Sequence, residues 1–235
     1  MKADFIDMDV TDIIMEKPYG FTVNGCRFYL YPVTLGKSYL LSRLITALDL
    51  DEKSMAVDPF NAILRISGDK SKELSRILAL HTFNTKDEIF NEDLVQERTE
   101  FFMSNMEPND RALLFAMTLT RDDMGAIIKH LGIEAERKRQ LRALAAKKSD
   151  SNTFTFGGKS ILGSMIVPAC EKLNLTPQQV VWGISYQYLH LLLADGISQI
   201  YLTDEEVKRA RISNEPVISG DDPSIKDKIK SQKWD

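Results

Sequence analysis

Two tripeptides of the chain, Gly36-Lys37-Ser38 and Gly158-Lys159-Ser160, match the end of a phosphate-binding loop. In the full pattern, G-x-x-x-x-G-K-[ST], backbone amides between the two glycines wrap the phosphates and the lysine neutralises them. The first glycine is missing from both copies. Tyr31 stands in its place ahead of Gly36, and Thr153 ahead of Gly158. A β-carbon there disfavours the tight turn. Pro32 also removes an amide donor from the first candidate. Neither tripeptide follows the pattern of a buried parallel strand. Both read as a loop running into a helix, with glycine permitting the turn, and no nucleotide or other cofactor is expected.

No other constellation reads as an active site. His81, His130 and His190 are scattered, and none has a second ligand at helix spacing, so no metal is expected. Cys26 and Cys170 are too few and too far apart for a disulfide framework. They read as buried free thiols of a reducing compartment. Cys170 has no neighbouring histidine in the sequence to activate it, and no catalytic residue is assigned. Asp122-Asp123 and Asp221-Asp222 read as a helix start and as tail solvation. The one concentration of charge is Arg137, Lys138, Arg139, Arg142, Lys147 and Lys148. Such a stripe suits phosphates or an acidic partner, or is simply solvated surface. It has no interleaved aromatics, so base stacking is not indicated.

Composition bounds the rest. The chain has 235 residues, 43% hydrophobic and 27% charged, as globular domains do, and a net charge of −4. A protein that wraps nucleic acid is usually basic, so this balance argues against that role. The N-terminus carries acids where a signal peptide carries a basic region. The longest apolar stretch, 179–194, is too short to span a bilayer and contains His190. A cytoplasmic protein without membrane partners is expected.

The elements that must position these residues change period along the chain. In 21–31, Asn24-Gly25 separates two strand-like runs and predicts a hairpin with Cys26, Phe28 and Leu30 on one face. Residues 10–16 read as a third strand. From residue 37, Leu40, Leu41, Leu44, Ile45 and Leu48 follow helical spacing. Further helices are expected over 70–82, from the capping box Thr85/Glu88, over 109–119, and over 122–148 with a break near Gly132. The fold class is α+β, mainly α: an N-terminal β-hairpin or small antiparallel sheet followed by a helical bundle. Residues 1–148 form the hairpin-plus-helical region and 149–158 a linker or loop. Residues 159–212 form a C-terminal helical region, and 213–235 a flexible tail.

The C-terminal region has the strongest local signals. Thr176 with Gln179 and Thr203 with Glu206 form capping boxes, each with a leucine before it that can staple onto a following valine. Between them, 177–194 reads as one helix that is apolar around most of its circumference: Trp182, Tyr186, Tyr188, Leu189 and Leu193 leave only Gly183, Gln187, His190 and Ala194 as a small or polar stripe. Such a helix is either the centre of a bundle or a partner-binding surface. The candidate partner-binding residues are these five large side chains together with Arg137 and Arg139. Methionines, among them Met103, Met106, Met117 and Met165, either fill the core or supply adaptable contact surface.

Two stretches carry a family resemblance. FTVNGCRFYLYPVTLGKSYLLSRLI (21–45), a hairpin, a T-x-G-K turn and a leucine-rich helix, resembles the opening of small phage tail proteins. TPQQVVWGISYQYLHLLLADGISQIYLTDEEVKRA (176–210), with W-x-[IM]-S-[YW] ahead of a two-helix end, is similar to a C-terminal pattern of the same group. The family is the tail assembly chaperones of long-tailed phages and prophages. The resemblance implies a non-enzymatic role in a bacterial host: binding the hydrophobic tape-measure protein, alongside the tail-tube protein, during tail morphogenesis. Self-association into a homo-oligomer is compatible with that role. The alternatives are a structural tail or connector subunit of the virion and a nucleic-acid-associated protein of a phage or mobile element acting through the basic segment.

Overall fold

Asn24 and Gly25 both take positive φ, 46° and 78°, the geometry in which a two-residue loop follows the twist of its strands. In the computed structural model, which describes residues 3–120, 124–147, 159–196 and 199–212, they join β1 (Tyr19–Val23) to β2 (Cys26–Leu30). The pair is antiparallel, with Phe21 opposite Phe28 and Val23 opposite Cys26. Val23 and Leu30 are buried. The Phe28 ring meets Phe102 edge-on at 4.9 Å, and the Arg98 guanidinium lies 4.7 Å over the Phe28 ring. Cys26 ends the inward row beside the turn and is exposed, while Cys170 is half-buried. The expected burial of both thiols is thus corrected: at the turn the sheet has nothing to pack against Cys26.

The third strand expected over 10–16 is also corrected. These residues belong to α1 (Ala3–Ile14) and the turn after it. Val10 and Ile13, three apart, pack together on a small cluster with Met124, Ile127, Ile133 and Leu191. That is helical spacing, which a short apolar stretch does not distinguish from a strand.

Helices make up nearly all the rest. α2 (Leu35–Thr46) is capped by Thr34, whose Oγ1 accepts from Lys37 N at 3.3 Å. Asp51 and Asp58 cap α3 (Glu52–Val57) and α4 (Pro59–Ile66), for which no element was expected. α5 (Ser71–His81) follows. The Thr85/Glu88 box caps only a short α6 (Lys86–Ile89), because Asn91 starts α7 (Glu92–Asn105) immediately afterwards. α8 (Pro108–Thr120) begins at its proline. Gly132, at φ 72°, separates α9 (Met124–His130) from α10 (Ile133–Ala146), where the break was expected. A π-helical turn (Leu162–Ile166) leads into α11 (Val167–Leu173), and a second (Gln179–Gly183) precedes α12 (Tyr186–Ala194). α13 (Asp204–Ala210) starts at the Thr203/Glu206 capping box. This is the expected mainly helical α+β class. The expected linker at 149–158 and the tail from 213 lie outside the described residues.

Contacts divide the described residues into two compact units: 3–134 with 159–196, and 135–147 with 199–212. The first unit is built around α5. Leu74, Ile77, Leu78 and Ala79 have no exposed surface, and Phe102, Phe115, Val95 and Ile63 close over them from α7, α8 and α4. Among the described residues no helix is long and apolar enough to cross a membrane.

His81 ends α5 inside this core. Burial, helped by the Lys37 ammonium, pushes its imidazole from the ordinary 6.5 down to about 3. The unfolded chain therefore binds a proton between pH 6.5 and 3 that the folded chain refuses. The stability from a neutral His81 is present above pH 6.5 and is lost as pH falls towards 3, at up to about 1.4 kcal/mol per pH unit. Denaturant melts from pH 7 to 3.5 should show this slope. His81→Gln, which does not titrate, should flatten it.

Candidate functional site: the groove at Trp182

Gly36 stands behind the Trp182 wall of the groove. This residue lies in the first turn of α2, and a β-carbon built on it would stand 2.7 Å from the indole of Trp182. Its φ is not among the positive values of the chain. The glycine is thus required by the close approach of a ring and not by a turn, which corrects the reason expected for it. The two segments are also stitched by backbone. Thr34 and Ser185 form an isolated antiparallel bridge, and Tyr186 N donates to Val33 O at 2.8 Å. The Ser185 amide donates to a carboxylate oxygen of Glu16. The Ser185 hydroxyl accepts from Tyr188 N at 3.3 Å and so starts α12.

This stitching corrects the single helix expected over 177–194. Ile184 is extended, at φ −137° and ψ 142°, and the helix is cut between Gly183 and Tyr186. Apolar periodicity runs through the break because both pieces bury a face. Val180 and Leu189 meet Ala169 in a satellite core, with Leu193 at its edge.

Lys37, the lysine of the first phosphate-loop-like tripeptide, faces inward and is 2% exposed. Its Nζ donates to His81 O at 3.1 Å and Phe83 O at 2.9 Å. Burial pushes the amine from its ordinary 10.5 down to about 7, against the opposing pull of Glu88. Charged or neutral, the amine keeps at least two N–H bonds, enough for both carbonyls. This lysine cannot meet a phosphate. Gly158, of the second tripeptide, lies outside the described residues.

In front of the junction is an open groove of about 590 Å³. Pro18, Tyr31, Pro32, Trp182 and Ile184 supply its apolar wall, and Thr34, Asn84, Thr85, Thr176 and Gln179 its hydroxyl and amide groups. Thr176 and Gln179 are held by their reciprocal capping bonds of 2.9 and 3.2 Å. Beside it the Phe90 ring, 57% exposed, stands edge-on to the indole at 5.6 Å. Its lining acid, Glu16, is occupied by the Ser185 amide. The exposed Lys86 adds one cation to the lining, which otherwise offers shape, aromatic surface and neutral hydrogen-bonding groups, the equipment for holding a chain segment.

The expected partner-binding residues separate in the fold. Trp182 is half-buried and lines the groove. Tyr186 and Tyr188 are half-buried on α12, with Tyr186 facing the His190 ring at 6.0 Å. Leu189 is fully buried, so it serves the core. Arg137 is exposed on α10, whereas Arg139 is half-buried and pairs with Glu136 at 3.3 Å. Sequence reasoning did not select Gly36, Thr34, Glu16 or Phe90. The T-x-G-K and W-x-I-S-Y patterns contained the first two contacts, but no local signal marks Glu16 or Phe90. No family model matches the chain, and no curated protein or solved structure matches it.

The close approach has a measurable consequence. Gly36→Ala forces a methyl against a rigid indole and should cost about 1–3 kcal/mol, as overpacking does. Combining it with Trp182→Leu, which vacates the ring volume, should recover part of that loss in thermal melts. Strict additivity of the two substitutions would contradict the contact.

Proposed function

We propose that the chain is a non-enzymatic tail assembly chaperone of a phage or prophage. It binds the tape-measure protein in the cytoplasm of a bacterial host and keeps it soluble while tail-tube subunits assemble around it. One observation carries the reading. The two stretches that resemble this family, 21–45 and 176–210, are distant in sequence and yet meet at one groove through Thr34, Gly36, Trp182 and Ser185. A shared ligand is a physical reason for two separate patterns to converge on one surface.

The lining suits such a client. A tape-measure protein offers long apolar helical segments, and grooves between packed helices receive such segments by their side chains. The exposed face of Phe90 and the half-exposed indole supply aromatic anchors, the type of residue that dominates binding at interfaces. Covering an exposed aromatic ring of this kind contributes about 1.5–3 kcal/mol.

Co-expression tests the reading. The full chain should raise the soluble fraction of a tape-measure fragment and co-purify with it. Phe90→Ser changes an exposed ring and leaves the core intact, and it should weaken retention about tenfold. A chaperone leaves before the particle is finished, so mass spectrometry of purified virions should not find the chain. Failure to retain any tail protein, or its stoichiometric presence in virions, would overturn the proposal.

A further inference from the structure

α10 is built inside out. Its first residue, Ile133, is buried in the cluster with Met124 and Ile127, but from 137 onward the buried positions are Ala143 and Ala146, 5% and 4% exposed, while Leu141 and Leu144 are 57% and 51% exposed. A helix serving only its own unit does the reverse, since a buried leucine contributes far more than a buried alanine. At 100° per residue, Arg137, Leu141 and Leu144 share one outward stripe within an arc of roughly 60°. Their steps of four and three residues are those of a helix-to-helix seam.

Beyond the first turn of α10, which carries Glu134 and Glu136, the charge around this stripe has one sign. From 137 to 147 the sequence has the basic residues Arg137, Lys138, Arg139, Arg142 and Lys147 and no acid. Arg137, Arg142 and Lys147 are exposed. The whole chain is net −4, so this cationic surface is local and does not follow from bulk composition.

We infer that the outward face of α10 is a docking surface for an acidic amphipathic helix of a partner protein. The two leucines meet the apolar face of that helix, and Arg137 within the stripe, with Lys138 and Lys147 about 60° to either side of the leucines, meets its carboxylates. Nucleic acid is the competing occupant of a basic helix. Leucines at the centre of the charged face offer nothing to a phosphodiester, and no aromatic on α10 stands ready to stack a base. The inference uses none of the groove residues and stands independently of the function proposed above.

The test uses the full chain and three labelled probes. One is a synthetic 18-residue helix with leucines at three- and four-residue steps and glutamates on its flanks. The second is the same composition with the leucines scattered around the helix. The third is a 20-nucleotide single-stranded DNA. Anisotropy titrations should show saturable binding of the first probe, with the scattered peptide about tenfold weaker. Leu141→Ser with Leu144→Ser should lower affinity about tenfold while leaving the melting temperature unchanged. Arg137→Gln with Lys147→Gln should weaken binding and flatten its dependence on salt. Absence of binding, equal affinity for the two peptides, tighter binding of the DNA, or leucine variants that bind like the wild type would each overturn the inference.

Discussion

The first unit depends on a missing side chain. Position 36 has to be bare because an indole from 146 residues further along the chain occupies the space a methyl would take. With the ring seated there, residues 33–34 come within backbone reach of 185–186, and the Thr34–Ser185 bridge forms. The bridge cuts the apolar stretch around Trp182 into two helices and turns α12 away from the groove. The neighbouring lysine is driven inward by the same geometry. One close contact thus fixes where α2 starts, where α12 starts and what lines the groove.

The buried cations follow a common logic. Lys37 donates to His81 O and Phe83 O at the end of α5. Arg111, 3% exposed, donates to Ser67 O after α4 and to Met103 O and Met106 O at the end of α7. Helix C-termini leave carbonyls without partners and carry the negative end of the helix dipole. A cation placed there satisfies both, so neither residue uses a carboxylate as its hydrogen-bonding partner. These long side chains tie together helix ends that hydrophobic contacts alone would leave free to slide, and truncating either one would strand a buried carbonyl.

What the sequence made legible was local. Asn24-Gly25 specified its turn, Gly132 its break, and each capping box its helix start, because in all of them the signal and its partner lie within a few residues. α3 and α4 escaped because they are only six and eight residues long, too short for the apolar residues of α4 to reveal a helical period in sequence. The groove was legible only in pieces. Thr34, Gly36, Trp182 and Ser185 all sat in noticed patterns, yet nothing in either stretch says that it packs on the other. Glu16 was hidden further, since its role is set by an amide 169 residues away. Glycine at 36 shows the difficulty: from sequence it reads as backbone freedom, whereas the fold uses it for lack of volume.

Both candidate surfaces follow from how large apolar side chains are distributed. At α5 the large apolar residues all point inward, and only polar side chains, Lys72 and Glu73 foremost, reach the surface. At the groove, Trp182 is shared between the core and the outside, and Phe90 completes an aromatic edge that the domain does not need for its own burial. On α10 after its first turn the division is sharper, with alanine inside and leucine outside. Exposed apolar surface next to water is a liability for solubility. Its concentration at sites with defined shape or charge is what distinguishes a recognition surface from scattered exposure. On the readings proposed above, the groove holds a helical segment by its rings and polar rim, and the leucine face of α10 meets an acidic helix. Both proposals thus rest on one physical argument, that large apolar side chains left at the surface in a defined setting are there to be covered by another chain.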